Sequence, residues 1–257
     1  MRAPTLYLER QSGLHALHPT TKLALSGLFL TGAAVMPGLH WLLALFAFGL
    51  LPLAAWGQVA RPLLRTSLAL IWPFALSLLL IQGFFAPGEQ VLFRLGPLAL
   101  KQEGLLLGAL FTARILVWLG TATLLMLITR PDHLMQAFTE QGLPHQISYI
   151  VLATIQIIPR FQAKAQTILD AQRSRGLETE GLLTVRLRAL LPLIGPLILG
   201  SILDVDERAM ALEARAFSRR GPKTYLTVLS DSLGQRLLRW LCLLLMVAMV
   251  LPRLAPW

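Results

Sequence analysis

The sequence predicts an all-α polytopic membrane protein. About five transmembrane helices carry it, with long cytoplasmic amphipathic helices between the fourth and the fifth. Three observations predict this. Of the 257 residues, 55% are hydrophobic and only 14% charged, with a mean hydropathy of +0.64, whereas soluble domains carry about 25% charged residues. The apolar residues fall in runs long enough to cross a bilayer, which takes roughly 20 residues of helix. The charges are lopsided, 23 Lys plus Arg against 13 Asp plus Glu, for a net +10 and a pI near 11.0. In so apolar a chain that excess marks loops kept on the cytoplasmic side rather than a nucleic-acid surface. Low charge and Leu-rich runs exclude a disordered chain, and the single Cys242 excludes a disulfide framework.

The spans come in order along the chain. Leu23 to Gly57 is almost continuously apolar but broken at Met36-Pro37-Gly38, so it divides into helices over about Thr20–Met36 and Leu39–Gly57. A third span runs from about Thr66 to Ala86 with a kink expected at Pro73. The fourth is about Gly104–Thr129 and the last Leu237–Leu251, with Trp240 and Trp257 suited to the two interfaces. No cleavable signal peptide is expected, because Met1 to Lys22 lacks an apolar central region. Orientation is set by the basic residues. Arg130 to Arg239 holds 14 of the 23, and placing it inside with the N-terminus and the Arg61–Arg65 linker puts 19 in the cytoplasm. Arg94, Lys101 and Arg253 then face out. The chain reads as one domain: a four-helix membrane part over 1–129, cytoplasmic helices over 130–236, and the last span over 237–257.

Within 130–236, Ile147, Ile150, Val151, Thr154, Ile158 and Phe161 recur at helical spacing. Gln156, Arg160, Lys164 and Asp170 occupy the opposite face. Pro159 bends this helix and Gly176 ends it. A second helix begins near Thr184. Its Leu190–Leu199 stretch is interrupted by Pro192 and Pro196 and is expected to lie at the interface. It leads to Asp204 and Arg208, which can pair one turn apart, and continues through Phe217 until Arg219-Arg220-Gly221-Pro222 ends it.

Enzyme signatures are missing. The sequence has no phosphate-binding Gly-x-x-x-x-Gly-Lys-Ser/Thr, no Gly-x-Ser-x-Gly and no His-Glu-x-x-His. No cofactor or metal site is expected; His15 and His18 lack companion ligands. Asp132, with His133 and His145 nearby, reads as a helix cap rather than an acid/base pair. Arg114 stands near the middle of the fourth span, where a charge costs several kcal/mol on insertion scales. It either serves function in the membrane or packs against carbonyls or a neighbouring subunit. The two strongest features are Ala171-Gln172-Arg173-Ser174-Arg175-Gly176 and Glu213-Ala214-Arg215-Ala216-Phe217. Each sets an arginine between small residues near a helix C-terminus, where a guanidinium fork can reach a partner's carboxylates or carbonyls. A basic helix end facing its own dipole and anionic lipid is the simpler account.

Taken with Gly142-Leu143-Pro144, Ile158-Pro159-Arg160-Phe161, Ala171-Gln172-Arg173-Ser174-Arg175-Gly176, Leu191-Pro192-Leu193 and Ala209–Phe217, these residues give the chain a family resemblance. It is similar, from Leu17 to Thr224, to the transmembrane (T) component of energy-coupling factor transporters. Leu17-His18-Pro19-Thr20-Thr21-Lys22-Leu23 resembles the family's opening motif, with His18 and Thr20 replacing its Asp and Arg. The resemblance implies a non-enzymatic scaffold whose two arginine motifs dock onto a pair of ATP-binding cassette ATPase subunits. Ala216 departs from the usual glycine. It further implies that apolar faces, including Ile150, Ile158 and Leu193, hold a substrate-binding membrane (S) subunit for vitamin or transition-metal uptake, with membrane lipid around and no nucleic acid. The rivals are a membrane enzyme acting on a lipid or isoprenoid, which needs convergent carboxylates or histidines that the spans lack, and a self-sufficient permease, for which only Arg114 and Gln82 speak.

Overall fold

The structure is a computed structural model that describes residues 7–10, 12–95, 98–178, 183–219, 221 and 229–254. The sequence features at Glu180, Arg220, Pro222, Lys223, Thr224 and Trp257 lie outside the described residues. The chain forms two compact units, one within Leu6–Pro144 and Leu229–Trp257, the other within His145–Val228.

The first unit opens with a single helical turn, α1 (Gly13–Ala16), capped by the Ser12 side chain, and then α2 (Pro19–Val35). The second span is α3 (Leu39–Ala44), a π-helical stretch (Leu45–Leu50) and α4 (Leu51–Trp56). Pro52 has no N–H to give the preceding turn, and the widened stretch ends just before it. Next come α5 (Ala60–Phe85), which continues through Pro73, and α6 (Gln102–Ile128). The helices Leu39–Trp56, Ala60–Phe85, Gln102–Ile128 and Leu233–Arg253 are long and apolar enough to cross a membrane. At 17 residues, α2 reaches about 25 Å, at the short end of what spans. The outward faces are apolar as well: Phe48, Leu68, Trp72, Phe74, Trp240 and Leu244 are all exposed, as lipid-facing side chains are. This is an all-α polytopic membrane protein.

Glycine sets the tightest contact. A Cβ on Gly104 of α6 would stand 2.2 Å from the Gln82 carbonyl of α5, and one on Gly108 would stand 3.1 Å from the Leu78 carbonyl, so the two backbones touch as small residues allow in membrane helices. The buried core lies among α2, the second span and α6, with Phe29, Leu42, Phe46, Leu50, Val117 and Leu124 at its centre. Lys22 is buried yet satisfied: its Nζ donates to the carbonyls of His15 (2.8 Å) and Ile128 (2.9 Å), fastening α1 and the end of α6 to α2.

Three features depart from the sequence reading. A β-hairpin, β1 (Val91–Leu95) and β2 (Leu98–Lys101), joins α5 to α6, with Arg94 paired to Ala99 and a bulge between Val91 and Phe93. Five residues, Val91-Leu92-Phe93-Arg94-Leu95, without strict alternation are too short a signal to separate from a loop. Asp132 does not cap α7 (Pro131–Glu140): the cap is Arg130, and Pro131 opens the helix, a position that needs no N–H. Asp132 instead accepts from Arg130 Nη2 at 2.7 Å. α10 (Leu233–Leu254) begins four residues before the expected Leu237, because Ser232 and Asp231 supply polar partners to its first turn.

The second unit is a pair of long helices, α8 (His145–Ser174) and α9 (Leu183–Ala214). Neither Pro159 nor the Pro192–Pro196 pair interrupts its helix. Each proline removes one backbone bond from a ladder that is otherwise continuous. The partner of Asp204 is Lys164 of α8, at 2.6 Å, rather than Arg208 of its own helix.

Candidate functional site

Ser174 is the last residue of α8, and the chain leaves it through a tight, fully bonded turn. The N–H of Gly176 donates to the Arg173 carbonyl (2.9 Å) and that of Leu177 to the Gln172 carbonyl (3.0 Å). This is the Schellman pattern, which needs a left-handed residue just past the cap, and Gly176 supplies it with φ +91°. Arg175 is the cap residue itself. It is exposed, projecting where the helix carbonyls give out.

Forty residues later, at the end of α9, the same turn recurs. Ala216 N–H donates to the Glu213 carbonyl (2.8 Å) and Phe217 N–H to the Leu212 carbonyl (3.0 Å). Arg215 is again the cap residue and is exposed. Ala216 takes the left-handed position with φ +57°, so the turn forms without glycine. An alanine there costs roughly 1–2 kcal/mol. Part of what holds it is Phe217, whose ring lies 4.9 Å from both His145 and Tyr149 at the start of α8. That contact also fixes direction: the end of α9 meets the beginning of α8, so the helices run antiparallel. Arg175 stands about 26 residues beyond Tyr149, so the two arginines lie about 40 Å apart along the pair at 1.5 Å per residue.

The sequence marks both triplets, Ser174-Arg175-Gly176 and Ala214-Arg215-Ala216, yet it does not show that they are the same backbone object at opposite ends of one hairpin. Ile150 and Ile158 of α8 and Leu191, Ile198 and Leu203 of α9 are exposed, whereas Leu193 is buried.

Arg114 is separate from this arrangement and belongs to the membrane unit. Its Nε donates to the Ala33 carbonyl (2.9 Å) and its Nη2 to the Met36 carbonyl (3.1 Å). Arg253 donates to the Val35 carbonyl between them, and Trp118 Nε1 to Leu30 (3.2 Å). The carbonyls of Ala33, Val35 and Met36 are among those that the last turn of α2 leaves without helical partners, and the negative end of its dipole favours a cation.

A polar cluster that the sequence reading missed lies at the other end of α2. His18 caps α2 as an Asp would, accepting from Thr20 N–H. Arg239 of α10 donates to the Thr20 hydroxyl, which in turn donates to His18 Nδ1 at 2.6 Å. The ring proton is thereby left on Nε2, which faces Glu140 at 3.8 Å. Arg239 also grips Asp231 with bonds of 2.9 and 2.8 Å, and Arg236 adds one of 3.0 Å. Burial lowers the His18 pKa below its usual value; Arg239 also lowers it, while Asp231 and Glu140 oppose the shift. Burial pushes the Asp231 carboxyl up, but its bonds to Arg239 and Arg236 outweigh that and hold it low. Thr20 and Arg239 are 219 residues apart and His18 and Glu140 are 122, beyond the reach of any local motif. The cluster walls a cavity of about 460 Å³ with Trp240 and Leu243. Among the described residues, His, Cys, Asp and Glu form no group of three fit to hold a metal ion.

Comparison with known proteins agrees with this architecture. Residues 10–226 match the family model CbiQ, described as "Cobalt transport protein". Energy-coupling factor transporter transmembrane protein EcfT of Heliobacterium modesticaldum is 33% identical over 221 residues, covering 82% of each chain. EcfT of Listeria innocua is 31% identical over 258 residues, covering 95% of this chain and 93% of its own, and EcfT of Thermanaerovibrio acidaminovorans is 32% identical over 223. The region matched by the family model spans the membrane helices before α10, both long helices and both arginine turns, and with it the chain belongs to the CbiQ family, as a transmembrane T component of an energy-coupling factor transporter.

Proposed function

We propose that the chain couples two ATP-binding cassette ATPases to a separate substrate-binding membrane (S) subunit, in uptake of a vitamin or a transition metal across the cytoplasmic membrane. Arg175 and Arg215 each seat in a groove of one ATPase. ATP draws the ATPases together, and the arginine turns carry that motion into α8 and α9. The apolar faces of those helices reorient the S subunit, which releases its cargo inside. A ligand moves a two-state assembly only by its differential affinity for the two states, and here ATP binding at the ATPases supplies it. The chain hydrolyses nothing itself. Its N-terminus and the 130–236 segment lie in the cytoplasm, where the basic residues concentrate.

The observation that carries this reading is the repeated turn. Two helices end in the same bonded loop with an exposed arginine at the same position, at opposite ends of an antiparallel pair. Such a pair meets two like partners, one at each end. A guanidinium presented from a rigid turn loses little freedom on forming its bonds.

Arg175→Glu with Arg215→Glu is expected to abolish co-purification of the ATPases while the chain still inserts in the membrane. Losing one partner of a buried charged bond costs about 2–5 kcal/mol, and reversing its sign adds repulsion. Arg186→Glu with Arg188→Glu, near the start of α9, removes the same charge elsewhere and is expected to retain the ATPases. Equal loss in both double variants would assign the binding to general basicity and overturn the docking role.

A further inference from the structure

Between their ends, a side chain of α8 ties the helix to α9. Lys164 of α8 donates from Nζ to the Gly200 carbonyl (2.6 Å) and to the Asp204 carboxylate (2.6 Å). Gly200 makes room for it: a Cβ there would stand 2.7 Å from both Cε and Nζ of Lys164. One side chain thus reads the backbone of α9 and a charge one turn further on, which fixes both where the helices cross and their register. Both partners are partly exposed, at 31% and 52%, and an exposed ion pair adds little to stability. The arrangement therefore positions the helices more than it holds the fold.

Its place along the two helices gives that positioning a purpose. Arg175 is 11 residues beyond Lys164, and Arg215 is 11 residues beyond Asp204. Eleven residues are about three turns, roughly 16 Å, and return to within about 20° of the same helix face. On α9 the arm is 11 residues counted from Asp204 and 15 from Gly200, so each arginine turn stands about three to four turns beyond the crossing, Arg175 on the side of α8 that carries Lys164 and Arg215 on the side of α9 that carries Asp204.

We infer that Lys164 is the fulcrum of this pair: it pins α9 to α8 at Gly200 and Asp204, so that movement imposed on the two arginine turns rotates the helices about a fixed point instead of sliding one along the other. The inference rests on the ATPase docking proposed above and assigns Lys164 as a positioning residue for coupling. A pin that reads a backbone carbonyl resists sliding, because a one-residue shift removes the carbonyl from reach, yet a single lysine stem permits rotation.

The test uses the complex with its ATPases, purified from the protein's own cells, in a Cys242→Ser background. Spin labels on Ala171→Cys and Ala211→Cys, each exposed and seven residues beyond the pin on its arm, report the separation of the arms by pulsed electron resonance. Without further changes, one narrow distance is expected, shifting when adenylyl imidodiphosphate binds. Lys164→Ala removes the pin, and Gly200→Ala displaces it without touching a charge. Both are expected to keep the ATPases bound, at least double the width of the distance distribution and cut the nucleotide-driven shift by more than half. Exchanging the pair, Lys164→Asp with Asp204→Lys, is expected to narrow the distribution again, which a merely structural effect of either single change would not do. Unchanged distances in the single variants, failure of the exchange to restore them, or loss of the ATPases from the single variants would each overturn the fulcrum. If the chain with Lys164 and Gly200 intact retains no ATPases, the docking reading fails first, a result distinct from all three.

Discussion

Arg175 and Arg215 are each succeeded by a residue in the left-handed conformation, but the two residues differ, and the difference is open to measurement. Gly176 occupies that conformation without strain, whereas Ala216 holds φ +57° against the contact between its Cβ and backbone. Ala216→Gly is expected to stabilise the second turn by about 1 kcal/mol, and Gly176→Ala to weaken the first by about as much. Hydrogen exchange reads this directly. The Ala216→Gly change should slow exchange of the Phe217 amide roughly fivefold, and Gly176→Ala should speed that of Leu177 by a similar factor, since a factor of ten corresponds to about 1.4 kcal/mol. An unchanged Phe217 amide would show that its packing on His145 and Tyr149, not the turn, limits opening. His18 sets a second expectation. Its folded pKa lies below the unfolded value of about 6.5, so the unfolded chain binds the extra proton first. Its contribution is complete above pH 6.5 and declines as pH falls through that value toward the folded pKa. Asp231 works in the same sense at lower pH: its folded pKa is also depressed, so its contribution is lost only below about pH 4. In detergent, the unfolding midpoint should therefore drop between pH 7.5 and pH 5.5, and His18→Asn should flatten that drop. An equal drop in His18→Asn would assign it to other groups.

At the scale of elements, α5 and α6 depend on the glycine between their backbones, whereas Gly195 of α9 is dispensable. Gly104→Ala would drive a Cβ into the Gln82 carbonyl at 2.2 Å, a backbone atom that cannot swing aside. Overpacking of this kind costs typically 1–3 kcal/mol. A lower unfolding midpoint is expected, with weaker protection in both helices. Gly195 in α9 has nothing within 4 Å of a Cβ, so Gly195→Ala is expected to be neutral or to stabilise that helix by up to about 1 kcal/mol. Equal effects at the two positions would mean that α5 and α6 separate more easily than their packing implies. The long pair α8–α9 was legible in the sequence because its apolar positions recur at helical spacing over many turns. Its crossing at Lys164 was not. Asp204 has Arg208 one turn away in sequence, and nothing local signals that a lysine 40 residues earlier will take the carboxylate instead.

For the whole molecule, orientation remains an expectation from charge asymmetry. With Cys242 replaced, external labelling of single cysteines should reach position 94, in the hairpin, and fail at positions 180 and 230. Efficient external labelling at 230 would mean that α9 crosses the membrane and would invert the placement of α10. The two compact units give this topology a physical sense. One buries a core among its helices and shows lipid-facing side chains such as Trp72 and Phe74 outward. The other leaves Ile150, Ile198 and Leu203 exposed, apolar area on an amphipathic pair that a soluble protein would bury against itself or a partner.

By itself the sequence determined the class, the approximate limits of the long apolar helices, and the two arginine triplets. Each of these is a local quantity: run length, periodicity, or a short motif at a helix end, and local energetics fix it before any tertiary contact forms. Tertiary structure decided the rest. It gave Arg114 the carbonyls of α2, joined His18, Thr20, Glu140, Asp231 and Arg239 across more than 200 residues, and set Lys164 on Gly200 and Asp204. It also turned two motifs that look merely alike into one turn used twice, at opposite ends of an antiparallel pair. The reason is the same in every case. A polar group withdrawn from water must find a partner, and which partner it finds depends on which helices pack together, which no window along the chain contains.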